Sequence, residues 1–538
     1  MVRRLAGAPV AGAALWSAVS GDFKIGELEA LPPACRLPGD DMARPIAGKA
    51  PRQWAHGGLP LPETANNARK MREAYASGQT TPSEVLDRLL ARLDKKDLGL
   101  STFSPFIALD REGAAAAAAA STERWKASKS LGPLDGIPIP IKDEFHMTGL
   151  PTRGGAAYLE TPATKDAFVI TKFREAGAVL PGKSHATEWG LNPLGYNEHF
   201  DMPRNPWSSA HGAGGSSTGT AVSVALGLAP VGLGSDGGGS IRIPSAFNGI
   251  YGIKPTYIRI GRTGDTWGPG TMPHAGPLGS STEDLVDLLS VAVGVDPEDP
   301  TTLLAPDGHA VVESWRLALG RGVKGCRIGV LRSEFADATP EIAAACELAL
   351  QALAREGAVL VDLDIPLAKH APAVGALVIA SESTANVSDD AVLYGHKFGD
   401  EFATVCALMA RLPARSFLLA GRTRAAMRRQ LAAAIAGVDV IALPTTARQA
   451  PKYGLDEGKK GIFDSAAIAG TTRFSFLCNL TGLPAGSVPV VFHGGLPIGL
   501  QIVGDAWDEA SVLAVMAHCE RLQLAPGKPT GWRSLLEV

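Results

Sequence analysis

The stretch HGAGGSSTGTAVSVALGLAPVGLGSDGGGSIRIPSAFNGIYGIKPT, residues His211–Thr256, decides the fold. Two glycine clusters, each ending in serine, bracket its centre: Gly214-Gly215-Ser216-Ser217 and Gly237-Gly238-Gly239-Ser240. Between them the pattern reads as a helix over Gly219–Leu228 and a strand over Val231–Leu233. Glycine has no Cβ, so consecutive glycines let backbone N–H groups converge on a space the size of an anion. A serine closing such a run presents its hydroxyl beside those donors. Acyl transfer needs that pairing of nucleophile and oxyanion donors. An isolated GGGS is ordinarily a turn, so the weight falls on the flanking sequence.

Upstream lies GPLDGIPIPIKDEFHMTGLPTRGG, in which Ile137, Ile139 and Ile141 read as a short buried strand ending at Lys142. A lysine at a strand end usually snorkels to water. If it is buried instead, its neutral form is favoured and it can act as a base. Ala178–Leu180 reads as a strand leading into GKSHATEWG. Earlier still, Glu63–Ser77 has helical spacing. Thr81-Pro82-Ser83-Glu84 is a capping box with proline at the first helical position, and Glu112–Lys126 is an alanine-rich helix. Downstream, strands at Arg327–Leu331, Val359–Val361 and Val438–Leu443 alternate with helices. Two more strands flank the Gly494-Gly495 turn, and a last helix starts at Glu509. The alternation implies an α/β fold: a large mixed, mostly parallel β-sheet flanked by helices on both faces. No composition break follows residue 61, so residues 61–538 are expected to form one domain and residues 1–60 an extension.

The 538 residues carry a net charge of −3, too near neutral for a nucleic-acid surface. Six scattered cysteines form no CxxC pair and the eleven histidines no HExxH, so neither a metal nor a disulfide framework is expected. No later run has the length of a membrane span. The first twenty residues outline a secretory pattern, but Gly7, Pro9 and Gly12 interrupt its apolar run. A cytoplasmic location is expected, with periplasmic export the lesser alternative.

Two other motifs compete for the central stretch. Gly232, Gly234 and Gly237 match GxGxxG, but Asp236 would repel a pyrophosphate, Pro244 interrupts the helix, and the strand candidate Tyr257–Ile260 carries no acid. Gly215-Ser216-Ser217-Thr218-Gly219 matches GxSxG, which would make Ser217 the nucleophile of an esterase elbow. That elbow needs a strand immediately before it, and PRNPWSSAHGAG reads as a loop. Downstream histidines such as His493 exist, but nothing selects one.

With Lys142, Ser216 and Ser240 in view, the chain resembles the amidase signature family. GIPIPIKD, GKSHATEWG, the Asn205–Trp207 NPW, GGSSTG, GLGSDGGGSIRIPSAFNGIYGIKPT, GPLGSSTEDL, ALPTT, NLTGLP and GLPIGLQIVG carry the likeness, in order, from about residue 61 to near the C-terminus. Thr218 departs from the Gly or Ser usual in the family. The resemblance implies a Ser–Ser–Lys triad: Ser240 the nucleophile, Ser216 a bridging serine on a cis peptide bond, and Lys142 the base. It also implies an oxyanion hole from the N–H groups of Gly237, Gly238, Gly239 and Ser240, with Ser217, Asp236 and Arg242 bracing the loops. The expected activity is hydrolysis of a carboxylic amide, or a related carbamate or ester, through an acyl-enzyme. No cofactor, nucleic acid or membrane is implied, and the reading admits a homodimer. The alternative is the glutaminase subunit of a tRNA-dependent amidotransferase. The substrate pocket is expected from Arg259–His274 and parts of residues 366–470. Trp189, Trp267 and Met272 are wall candidates for which core packing is the simpler role.

Overall fold

The structure, a computed structural model, describes residues 17–19, 21–25, 27–28, 58–60, 67–95, 104–267, 270–454, 457 and 464–537. Eleven strands form one sheet: β1 (Phe106–Leu109), β2 (Ile141–Lys142), β3 (Gly182–Ser184), β4 (Val231–Asp236), β5 (Tyr251–Lys254), β6 (His274–Gly279), β7 (Arg327–Val330), β8 (Val359–Asp362), β9 (Val440–Pro444), β10 (Ala485–His493) and β11 (Leu496–Val503). They run in the order β1-β3-β2-β4-β6-β5-β10-β11-β9-β7-β8. The large mixed α/β sheet is as expected, but its parallel character is the lesser part. Parallel pairing is confined to β3-β2-β4 near one edge and β9-β7-β8 at the other. The hairpin around Gly494-Gly495 and the pairings β1·β3, β4·β6, β5·β6, β5·β10 and β9·β11 are antiparallel.

Both faces are covered. Successive strand residues point to opposite faces. In β9 this sends Val440 and Ala442 into one apolar cluster, with the helices Pro340–Arg355 and Glu509–Arg521. It sends Ile441 and Leu443 into another, with the helices Ala371–Asn386 and Ala414–Ile435.

Local signals hold where they are strongest. The helix Pro82–Asp94 starts with the reciprocal Thr81/Glu84 capping box, and Arg111–Lys126 is helical. The first helix covers Ala68–Ala76; the Glu63–Asn66 part of that expectation lies outside the described residues. Three strand expectations differ. The strand through Ile137–Ile141 reduces to Ile141–Lys142, because Pro138 and Pro140 have no N–H to donate to a ladder. Val179 makes only a bridge to Pro138, and the strand forms later, at Gly182–Ser184. Tyr257–Ile260 is a turn; the strand here is Tyr251–Lys254. Among the described residues no single helix is long and apolar enough to cross a membrane.

Candidate active site

β2 runs parallel between β3 and β4, so the C-terminal ends of three strands reach the same edge, where ligands sit in open α/β sheets. Lys142 ends β2 and is fully buried. It does not snorkel. Its Nζ donates to Ser216 Oγ at 2.6 Å and to Ser235 Oγ at 2.8 Å, and lies 3.0 Å from Glu144 Oε1. Ser235 in turn donates to Glu144 Oε2 at 2.5 Å, closing a ring of three side chains. Burial pushes the Lys142 pKa below that of an ordinary lysine, against the opposing pull of the Glu144 carboxylate.

Ser216 follows a cis Gly215–Ser216 peptide bond, as the family resemblance implies. It sits just before the helix Thr218–Ala225. Ser217 is buried, with its hydroxyl donating to Ser235 O at 3.2 Å and its N–H to Ser240 O at 3.3 Å. It therefore ties the first glycine loop to β4 and to the second loop. No strand precedes it, and His493 is exposed at the end of β10, so the esterase-elbow geometry is absent. Thr218 Oγ1 donates to Gly214 O at 2.8 Å, a contact that explains how a hydroxyl residue fits this position.

The second glycine loop is wound around Asp236. Its carboxylate accepts from Gly239 N at 2.7 Å, Ile241 N at 3.2 Å, Arg242 Nε at 3.0 Å and Arg242 Nη2 at 2.8 Å. Facing Arg242 holds this buried carboxyl well below the usual carboxylate range, despite its burial. Arg242 also donates to Ser475 O at 2.9 Å and Asn479 Oδ1 at 2.6 Å, and it reaches Gln501 Oε1. Asn479 and Gln501 belong to NLTGLP and GLPIGLQIVG, so these distant motifs meet at one guanidinium. The bracing expected of Ser217, Asp236 and Arg242 is present as contacts. The oxyanion expectation needs one correction: the Gly239 N–H is already bonded to Asp236, so it does not point into an open site. Gly239 has φ +122°, a left-handed conformation suited to glycine. A Cβ on Gly238 would lie 2.5 Å from the Phe476 ring.

Ser240 and Gly238 line an open cavity. No hydrogen bond joins Ser216 Oγ to Ser240 Oγ; contacts of this kind often tighten only when substrate is bound. The walls come from the helices Ala371–Asn386, Asp400–Met409 and Ser465–Thr472, together with Phe476. The expectation for residues 366–470 is met in part. No described residue of Arg259–His274 is in the lining, and Trp189, Trp267 and Met272 are packed in apolar clusters. Sequence reasoning missed Glu144, whose only signal was its place two residues after Lys142, and the contribution of Val19, Phe23 and Ile25. Among the described residues no group of three or more His, Cys, Asp or Glu side chains is placed to hold a metal ion.

The site thus sets a buried lysine–serine pair beside a glycine–serine loop at one sheet edge. Residues 84–513 match the Amidase family, and the chain belongs to it. A glutamyl-tRNA(Gln) amidotransferase subunit from Chloroflexus aurantiacus is 34% identical over 476 residues, covering 84% of this chain and 95% of the relative. Among solved structures, native peptide amidase from Stenotrophomonas maltophilia superposes with a TM-score of 0.73 at 25% identity, covering 87% of this chain and 99% of the other. The corresponding glutamyl-tRNA(Gln) amidotransferase subunit from Thermotoga maritima superposes with a TM-score of 0.66 at 26% identity, covering 87% and 95%.

Proposed function

We propose that the chain is a stand-alone amide hydrolase that works through a serine acyl-enzyme. The observation that carries this reading is the buried 2.6 Å Lys142–Ser216 hydrogen bond next to a cavity lined by Ser240. A serine hydroxyl is a poor nucleophile without a base. In its neutral form, which burial favours, Lys142 takes the Ser216 proton while Ser216 takes the Ser240 proton, and Ser240 Oγ bonds to the substrate carbonyl carbon. The Gly237, Gly238 and Ser240 N–H groups face the developing oxyanion. The proton returns through Ser216 to the substrate nitrogen, the C–N bond breaks, and the amine leaves. Water then attacks the ester by the same relay, freeing the acid and Ser240. Glu144 and Ser235 hold the lysine amine toward Ser216.

The second reading, the glutaminase subunit of a tRNA-dependent amidotransferase, is favoured by the amidotransferase relative. The cavity speaks against it. Glutamine is zwitterionic, yet among the described lining residues there is no cation to meet its α-carboxylate and one carboxyl, Glu401. A cytoplasmic location goes with the five described cysteines, all free thiols. The test combines labelling with a fluorophosphonate, mapped by peptide analysis, with a panel of amides, anilides, esters, carbamates and glutamine. The expected result is an adduct on Ser240 and turnover of a simple amide that Ser240→Ala abolishes. An adduct on Ser217, or ammonia released from glutamine alone, overturns it.

A further inference from the structure

Residues 17–28 precede the stretch that matches the family and carry none of its motifs. Their described part is nevertheless built into the molecule. The Phe23 N–H donates to Val19 O at 3.1 Å, a helical turn that puts both side chains on one side. Val19 and Phe23 are 9% and 8% exposed, and Leu28 is 1% exposed, while Asp22, Lys24 and Glu27 face out. Val19, Phe23 and Leu28 join the same apolar cluster as Leu377, Ile379 and Phe476. Two polar contacts tether the segment: the Ser465 hydroxyl donates to the Asp22 carboxylate, and Glu27 lies 3.6 Å from His370 Nδ1. Ser465 opens one wall helix of the active-site cavity and His370 immediately precedes another.

The segment also reaches the cavity itself. Val19, Phe23 and Ile25 line the space that Ser240 and Gly238 line. The remaining described walls are almost wholly apolar, and Glu401 is the one ionisable side chain among them. Burial, with Glu198 and Glu188 nearby, pushes the Glu401 carboxyl up to about 8, which favours its neutral form. Asn192 Nδ2 holds both its oxygens, at 2.7 and 2.9 Å. A charged substrate group placed here would lose its hydration without gaining a counter-ion.

We propose that the described part of residues 17–28 forms a strap that is a specificity-determining wall of the active site, and that the substrate is an amide whose uncharged alkyl or aryl portion packs against Val19, Phe23 and Ile25 while its carbonyl meets Ser240. This rests on the reading of Ser240 as nucleophile. The strap makes none of the hydrogen bonds that hold Lys142, Ser216, Asp236 or Arg242. It therefore sets which group fits, not whether the relay is assembled.

Labelling by alkyl fluorophosphonates tests the proposal without needing the natural substrate. In the full chain, the rate of Ser240 modification is measured for an ethyl and an octyl reagent, in the parent protein, Phe23→Ala and the milder Val19→Ala, with a thermal melt of each. The expected result is an octyl-to-ethyl rate ratio that falls at least about tenfold in Phe23→Ala, the scale of a lost hydrophobic contact in a pocket. Val19→Ala moves it the same way by less, and in both variants octyl labelling slows more than ethyl labelling while the melt still shows one folded protein at the labelling temperature. A ratio unchanged in both variants overturns the strap proposal and leaves the nucleophile standing. Equal slowing of both reagents makes the strap a support of the fold and overturns its role in selection. A parent protein that neither reagent labels at Ser240 overturns both readings.

Discussion

The proposed catalytic corner and the cavity wall lie side by side and are built in opposite ways. At the corner, Lys142, Glu144, Ser216 and Ser235 are bonded to one another and Asp236 to Arg242, and all six are buried and charged or polar. Lys142, Ser235 and Asp236 end β2 and β4 and Glu144 follows β2, while Ser216 precedes the helix Thr218–Ala225 and Arg242 opens the helix Arg242–Asn248, so strand ends and helix starts together set their spacing. The wall comes from helices and from the N-terminal segment, presents alkyl and aromatic side chains, and carries one ionisable group among its described residues. Polar chemistry needs directional partners at fixed distances, and a sheet edge supplies them. Apolar recognition needs only shape and area, which helices and a strap can vary without disturbing the corner.

That contrast is most directly challenged by removing the nucleophile. Ser240→Ala is expected to abolish hydrolysis of amides and activated esters alike, measured as kcat/KM, because the proposed acyl-enzyme forms on its Oγ. Retained turnover places the chemistry outside the corner.

The next effect separates the two tasks assigned to the lysine. An amine leaves a tetrahedral intermediate only after its nitrogen is protonated, whereas p-nitrophenolate leaves unaided. General acid–base steps contribute about 10²–10⁴-fold each. Lys142→Ala is expected to depress hydrolysis of an amide by a clearly larger factor than hydrolysis of the matching p-nitrophenyl ester. Equal losses mean that Lys142 activates Ser240 but does not protonate the leaving nitrogen.

Asp236→Ala leaves the Arg242 guanidinium buried without its carboxylate and frees the Gly239 N–H. Breaking a buried pair by removing one partner costs about 3–5 kcal/mol. Urea unfolding is expected to show a loss of that order, whereas Val405→Ala in the wall is expected to cost less. A loss no larger than the wall variant's contradicts the claim that the corner is held by directional pairs.

The smallest effect is a shift in pH dependence. Burial lowers the Lys142 pKa and Glu144 raises it, with burial the larger influence. In the proposed relay the neutral amine is the active form, so activity is expected to rise with pH to a plateau, through a limb below the usual lysine value of about 10.4. Glu144→Gln removes the group that favours the ammonium, so the limb should move to lower pH. A limb unmoved in Glu144→Gln shows that another group sets it.

Much of the corner is legible in the sequence. The order of the motifs placed Lys142, Ser216 and Ser240 in one family pattern, and the glycines marked the loops that turn at strand ends. The strand β6, His274–Gly279, was not legible: Gly276, Pro277 and Gly279 make it a poor strand by composition. It forms because β4 and β5 offer ladder partners on both sides. The role of Arg242 was legible as bracing, but not its reach to Asn479 and Gln501, which lie more than two hundred residues away.

By itself, the sequence determined what is set within a few residues: the Thr81/Glu84 cap, the glycine loops, the serines and lysine at their ends, and the alternation that makes an α/β sheet. These follow from backbone freedom, local hydrogen bonds and periodicity, which act over one turn or one strand. Tertiary structure alone decided which neighbours those groups meet. It put Glu144 and Ser235 on the lysine amine, bonded the Gly239 N–H to Asp236, and brought Phe23 to the cavity of Ser240. Burial, and with it the depressed lysine pKa, is a property of the surrounding chain, and distances between residues hundreds of positions apart appear only when the sheet is assembled.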